Sequence, residues 1–163
     1  MSPWVVTSED DTARLAQRLA AAMRGDPSLA DALLTLRGDL GAGKTTFVRH
    51  LLRALGVTGR IKSPTYALVE PYDLPEPPDG PTMPPAWHAD LYRFDDPREW
   101  EDAGLRELFA SPGLKLVEWP EKAGSLLPMP DLDLLLHHDG DDTRRIVPTA
   151  HTPRGSALLA ALS

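Results

Sequence analysis

Residues 38–46 read GDLGAGKTT, and this stretch limits what the chain can fold into more than any other. Gly38, Gly43, Lys44 and Thr45 match the P-loop pattern GxxxxGK[ST]. Glycines let backbone amides close around an anion without Cβ clashes. A helix beginning at the end of such a loop adds free N–H groups and the positive end of its dipole. The pattern has this meaning only between a strand and a helix. Residues 32–36, ALLTL, form a short apolar run suited to a buried parallel strand. Val48, Leu51, Leu52 and Leu55 then recur at helical spacing, and Gly56 stands where a helix C-cap belongs. Strand, glycine loop and helix therefore follow in the required order. Lys44 is placed to reach the β- and γ-phosphates of a nucleotide, and the Thr45 hydroxyl to ligate Mg²⁺.

A site of this kind needs a second metal-side acid at the end of a neighbouring strand. Glu118 closes the run Leu114-Lys115-Leu116-Val117 and is the candidate. Asp90, in HADLYR, follows another short strand and is the second acid, able to orient water or hold the metal through water. Taken singly, both could be solvated strand-end carboxylates. His88 and Trp119 read as structural residues. His137 and His138 point to opposite faces of a strand and make a poor metal pair, and Arg144 and Arg145 read as solvated charge.

The rest of the chain reads as one domain spanning 1–163. Ser8 and Asp11 have capping-box spacing, and Leu15, Leu19, Ala22 and Met23 form one face of a helix that Gly25-Asp26-Pro27 ends. Residues 66–72 and 87–92 read as a strand and its return. Between them Asp73 to Pro85 holds six prolines and predicts a surface loop, over 73–86, with little to bury and no part in catalysis. A helix over 97–109 is interrupted near Gly104. Residues 133–138 and 144–149 predict a hairpin, and 153–162 a last helix with Pro153 in its first turn. The expected fold is a three-layer α/β/α arrangement with a mostly parallel central sheet and added hairpin strands.

Composition narrows the partners. A net charge of −7 is poorly suited to gripping a phosphate backbone unaided. The chain has no cysteine, which removes disulfides and thiolate chemistry. No apolar run is long enough to span a bilayer, so the reading is a cytoplasmic protein without a membrane partner.

Four segments, GDLGAGKTTFVRHLLRALG at 38–56, KSPTYALVEPY at 62–72, HADLYRF at 88–94 and LVEWPEK at 116–122, together resemble the TsaE (YjeE) family. Its members are bacterial ATPases of tRNA threonylcarbamoyladenosine biosynthesis. The resemblance implies ATP and Mg²⁺ as ligands, and the TsaB and TsaD proteins as partners, with tRNA reached only through their complex. It implies nucleotide contacts from Gly41, Ala42, Gly43, Lys44, Thr45 and Thr46, with Glu9 or Thr12 and Arg144 approaching the nucleotide. Thr45 and Glu118 are implied as Mg²⁺ ligands, and Lys44, Asp90 and Glu118 as needed for hydrolysis. Ser63 and Thr65 resemble a switch-like loop, and Trp119 a tryptophan beside the metal acid. The 73–86 loop is longer and richer in proline than the family pattern. A small-molecule kinase would use the same cradle but needs an acceptor site, and a nucleotide-gated binding module would need no turnover. A GTPase is disfavoured because the chain has no NKxD motif.

Overall fold

The computed structural model describes residues 4–61, 69–76, 80, 82–102, 104–138, 140 and 143–162. Seven strands form one sheet among them: β1 (Trp4–Val6), β2 (Leu33–Arg37), β3 (Val69–Tyr72), β4 (Ala86–Asp90), β5 (Leu114–Glu118), β6 (Leu132–His138) and β7 (Arg144–Ala150). Their order is β1-β7-β6-β2-β5-β4-β3. The four central strands, β6, β2, β5 and β4, run parallel, and the three outer pairings are antiparallel. The expected mixed sheet with a parallel core is therefore present, and the short strand β1, not anticipated above, extends it.

The helices are α1 (Glu9–Gly25), α2 (Lys44–Ala54), α3 (Pro97–Asp102), α4 (Leu105–Ala110) and α5 (Pro153–Ala161). In α1 the buried residues are Thr12, Leu15, Ala16, Leu19, Ala20 and Met23, a continuous stripe at spacings of three and four. Ser8 caps it by accepting from the Asp11 amide at 3.2 Å. The Asp11 carboxylate reaches back to the Thr7 amide at 3.1 Å, one residue before the position a capping box would use.

Alternate side chains on the central strands separate two cores. Leu34, Leu36, Leu114, Leu116, Leu132 and Leu134 face α1, α2 and α5 in the larger one. Leu33, Ala89 and Val117 face the other way, into a smaller core with Phe94, Trp100 and Leu105. There the Trp100 ring stacks on Phe109 at 5.2 Å and meets Phe94 edge-on at 6.2 Å. Gly104 separates α3 from α4, as the interrupted pattern anticipates.

Both prolines within strands sit where an amide is not needed. Pro71 lies on β3, the last strand of the sheet. Pro148 lies on β7 beyond the short stretch, Arg144 to Ile146, that β1 covers.

The proline-rich segment differs from the sequence reading at two points. Leu74 and Met83 are buried members of the larger core, so this loop is pinned at both ends. Residues 77–79 and 81 lie outside the described residues. Leu74→Ala is expected to cost about 2 kcal/mol or more, as other buried leucine truncations do. Replacing residues 76–82 with a short glycine–serine turn, with Leu74 and Met83 kept, is expected to change stability by about 0.5 kcal/mol or less. Urea melts of both variants check the pair.

Candidate functional site

The site forms where β2 ends. Gly38 can only be glycine: a Cβ there would lie 2.4 Å from the Leu136 carbonyl oxygen of the adjacent strand. The loop then turns, and Gly43 at φ 105° caps α2 in a left-handed conformation that side chains resist. Lys44 and Thr45 consequently begin the helix, and their side chains project from its first turn.

Strand register brings the acids to meet them. β2 and β5 are parallel with Leu36 opposite Glu118, so Glu118 ends its strand beside the start of the glycine loop. β5 and β4 are parallel with Asp90 opposite Glu118. Because side chains alternate along a strand, His88, Asp90, Leu116 and Glu118 all share the sheet face that α2 covers.

The Thr45 hydroxyl donates to the Glu118 carboxylate, with its oxygens at 2.9 and 3.0 Å. Glu118 is only 2% exposed. Lys44 is also buried, and its ammonium donates to the Gly38 carbonyl and, at 3.2 Å, to that of Asp39. The same ammonium sits 3.9 Å from the centroid of the Trp119 ring. Trp119 is the only non-glycine residue with positive φ among the described residues, at 58°. That turn carries its ring over the lysine, and Tyr92 packs on it at 5.0 Å.

Burial lowers the Lys44 pKa, opposed by the charges of Glu118, Glu121, Asp90 and Asp39. Burial also raises the Asp90 carboxyl, against the amide of Tyr92 that donates to it at 3.0 Å, with nearby Glu118 adding to the rise. A site holding this many carboxylates around one lysine favours an added cation. Its hydroxyl and carboxylate oxygens are the donors a hard divalent ion such as Mg²⁺ takes.

Gly41, Gly43, Lys44, Thr45, Thr46 and Arg144 line one pocket of about 220 Å³ together with Asp90, Glu118 and Trp119. Ala42 is buried beneath the loop. Arg144, a solvated charge by strand alternation but a residue near the nucleotide by the family resemblance, has its guanidinium 3.3 Å from where a Gly43 Cβ would be. Glu9 is not in this lining. It is well exposed and pairs with His50 of α2 at 2.9 Å, while Thr12 is buried against the core. Ser63 and Thr65 lie outside the described residues.

His88, read from the sequence as structural, stands in contact with the site. Its ring is fully buried and its Nε2 lies 2.5 Å from Glu118 Oε2. The available signal was the spacing of two between His88 and Asp90, which puts both on one face of a strand. A larger concavity of about 420 Å³ opens on the opposite side of the sheet. Thr35 and Arg37 in its lining both donate to Asp133, at 2.6 to 3.1 Å.

A parallel sheet whose central strand runs into a glycine loop and helix, with an acid from the next strand beside the loop threonine, belongs to the P-loop class. Residues 6–146 match the family model described as "Threonylcarbamoyl adenosine biosynthesis protein TsaE". The chain is 42% identical over 132 residues to the tRNA threonylcarbamoyladenosine biosynthesis protein TsaE of Haemophilus influenzae, covering 80% of this chain and 78% of that one. It is 38% identical over 161 residues to the Bacillus subtilis protein of the same name, covering 98% and 92%. The crystal structure of Bacillus subtilis YdiB superposes with a TM-score of 0.75 at 33% identity, over 98% of this chain and 92% of that one. The chain belongs to the TsaE family, and its role is in tRNA threonylcarbamoyladenosine biosynthesis. No helix among the described residues is long and apolar enough to cross a membrane.

The raised Asp90 pKa carries a stability consequence. A carboxyl harder to ionise in the folded state destabilises the fold increasingly as pH rises from 3.8 through its folded-state value. Asp90→Asn keeps an acceptor for the Tyr92 amide and loses the charge. It is expected to melt at a higher temperature than the wild type at pH 7, with the difference closing below about pH 4. Thermal melts across that range check it.

Proposed function

We propose that this protein is a Mg²⁺-dependent ATPase that works on a complex of the TsaB and TsaD proteins and reaches tRNA only through it. The observation that carries the reading is the convergence of Thr45 and Glu118, 2.9 Å apart at the mouth of a glycine loop beside Lys44. The loop amides and the start of α2 would hold the phosphates of ATP, with Lys44 turning from the Gly38 and Asp39 carbonyls to pair with them. Thr45 and Glu118 would hold the metal, and Arg144 would add positive charge at the rim. Bound there, Mg²⁺ neutralises phosphate charge and supplies electrophilic assistance. Asp90, one strand further out, would orient water, and its burial makes it a more basic carboxylate than an exposed one.

The rim supports a protein partner. Leu40 at the tip of the glycine loop is 66% exposed and Tyr92 is 42% exposed, and both border the pocket. Ser63 and Thr65, with Trp119, would couple nucleotide state to that partner. Acidity of the chain favours reaching tRNA indirectly. A small-molecule kinase and a nucleotide-gated binding module are the competing readings, and turnover with and without the two proteins separates them.

Lys44→Ala is expected to weaken ATP binding at least about tenfold, the order of one charge-assisted hydrogen bond lost. Unchanged affinity by calorimetry would remove the phosphate assignment. Glu118→Gln is expected to retain nucleotide and lose most of its turnover. Wild-type hydrolysis in that variant counts against the metal role. Pull-downs against purified TsaB–TsaD with an ATP analogue, ADP or no nucleotide test the partner. Absence of binding in every state, with tRNA modification proceeding through many turnovers unaided, overturns the reading.

A further inference from the structure

The buried ring of His88 is not accounted for by packing alone. It stands on β4 opposite Leu116, two residue pairs below the level where Asp90 faces Glu118. An apolar side chain would fill this position in a core of leucines and alanines without bringing in polar atoms. Instead one ring nitrogen contacts Glu118 at 2.5 Å. The other, Nδ1, is buried and has no hydrogen-bond partner among the described residues. Leaving a buried polar atom unsatisfied costs stability, so the arrangement is maintained against its own packing interest.

The orphaned nitrogen fixes the tautomer. A proton on Nδ1 would have no acceptor, whereas a proton on Nε2 is donated to Glu118 Oε2. Glu118 then accepts from two sides, from Thr45 on α2 and from His88 on β4. Two donors at different angles define the plane of the carboxylate, which neither one fixes alone. One of them, Thr45, is itself assigned to the metal, so when Thr45 turns to that task His88 is the donor that remains.

We propose that His88 is the positioning residue for the metal-side carboxylate, holding Glu118 by its Nε2–H in the orientation that receives Mg²⁺. This rests on the reading of Glu118 and Thr45 as the metal pair. Hydrogen bonds to ligating carboxylates of this kind commonly alter metal affinity by about 10- to 100-fold.

Three substitutions separate positioning from packing. His88→Phe fills the space without a donor. His88→Gln places its amide nitrogen near the position of Nε2, and His88→Asn stops at the depth of Nδ1, short of Glu118. The readout is the Mg²⁺ concentration that half-saturates binding of a non-hydrolysable ATP analogue, measured by titration calorimetry or fluorescence. Expected are a rise of about tenfold or more for His88→Phe and His88→Asn, and a value within about threefold of wild type for His88→Gln. Wild-type Mg²⁺ dependence in the phenylalanine and asparagine variants overturns the proposal, as does a glutamine variant that falls as far as they do. If the wild type shows no Mg²⁺ dependence, or Glu118→Gln keeps it, the metal pair itself fails and this inference with it. One measurement needs no variant. Histidine-ring ¹H–¹⁵N correlation spectra of the intact wild-type protein are expected to show the His88 proton on Nε2, and a proton on Nδ1 overturns the assignment.

Discussion

The hydrogen bond from Thr45 to Glu118 joins the first turn of α2 to the last residue of β5. It can exist only if three independent conditions hold together. The glycine loop must bring the helix down at the end of β2, which the close approach of Gly38 to Leu136 requires. β5 must pair directly with β2, in the register that levels Glu118 with Leu36. The face carrying Glu118 must be the one α2 covers. Each condition is set by apolar packing elsewhere, in the leucine pairs that sort the sheet into its two cores. The site is thus a by-product of how the hydrophobic residues alternate.

Burial at this spot comes at the expense of stability. Lys44, His88 and Glu118 are all nearly inaccessible, and Asp90 is partly so. Desolvation shifts Lys44 down and Asp90 up, both toward the uncharged form. A low-dielectric pocket strengthens every charge interaction made inside it, which suits the binding of a polyanion with its counterion. Asp90 is the group whose neutral replacement should make the fold more robust, a usual relation between sites and scaffolds.

Much of this was legible in the sequence, because the informative patterns are local. The P-loop, the stripe on α1, the break at Gly104 and the β6–β7 hairpin each depend on residues a few positions apart. Glu118 and Asp90 were legible as strand-end acids beside an identified loop. Strand order and register were not, since pairing joins residues about eighty apart, as Leu36 and Glu118 are. That is why His88 was read as structural, why spacing alone left Arg144 as solvated charge until the family resemblance placed it near the nucleotide, and why the segment after Asp73 was read as having little to bury. His88 matters through its neighbour on β5, Arg144 through its closeness to Gly43, and Leu74 and Met83 through a core assembled from distant strands. Asp11 reaching Thr7 instead of Ser8 is a smaller case, decided by how the chain enters the helix.

The prolines on the outer strands bear on how other molecules can engage this one. β3, at one margin of the sheet, loses an amide at Pro71. At the other margin β1 is three residues long, and the stretch of β7 it leaves uncovered carries Pro148. Among the described residues, neither margin offers an unbroken row of main-chain donors. Along these described stretches, recognition by strand addition, which depends on such a row, is disfavoured. A partner must therefore identify this molecule by its side chains and loops.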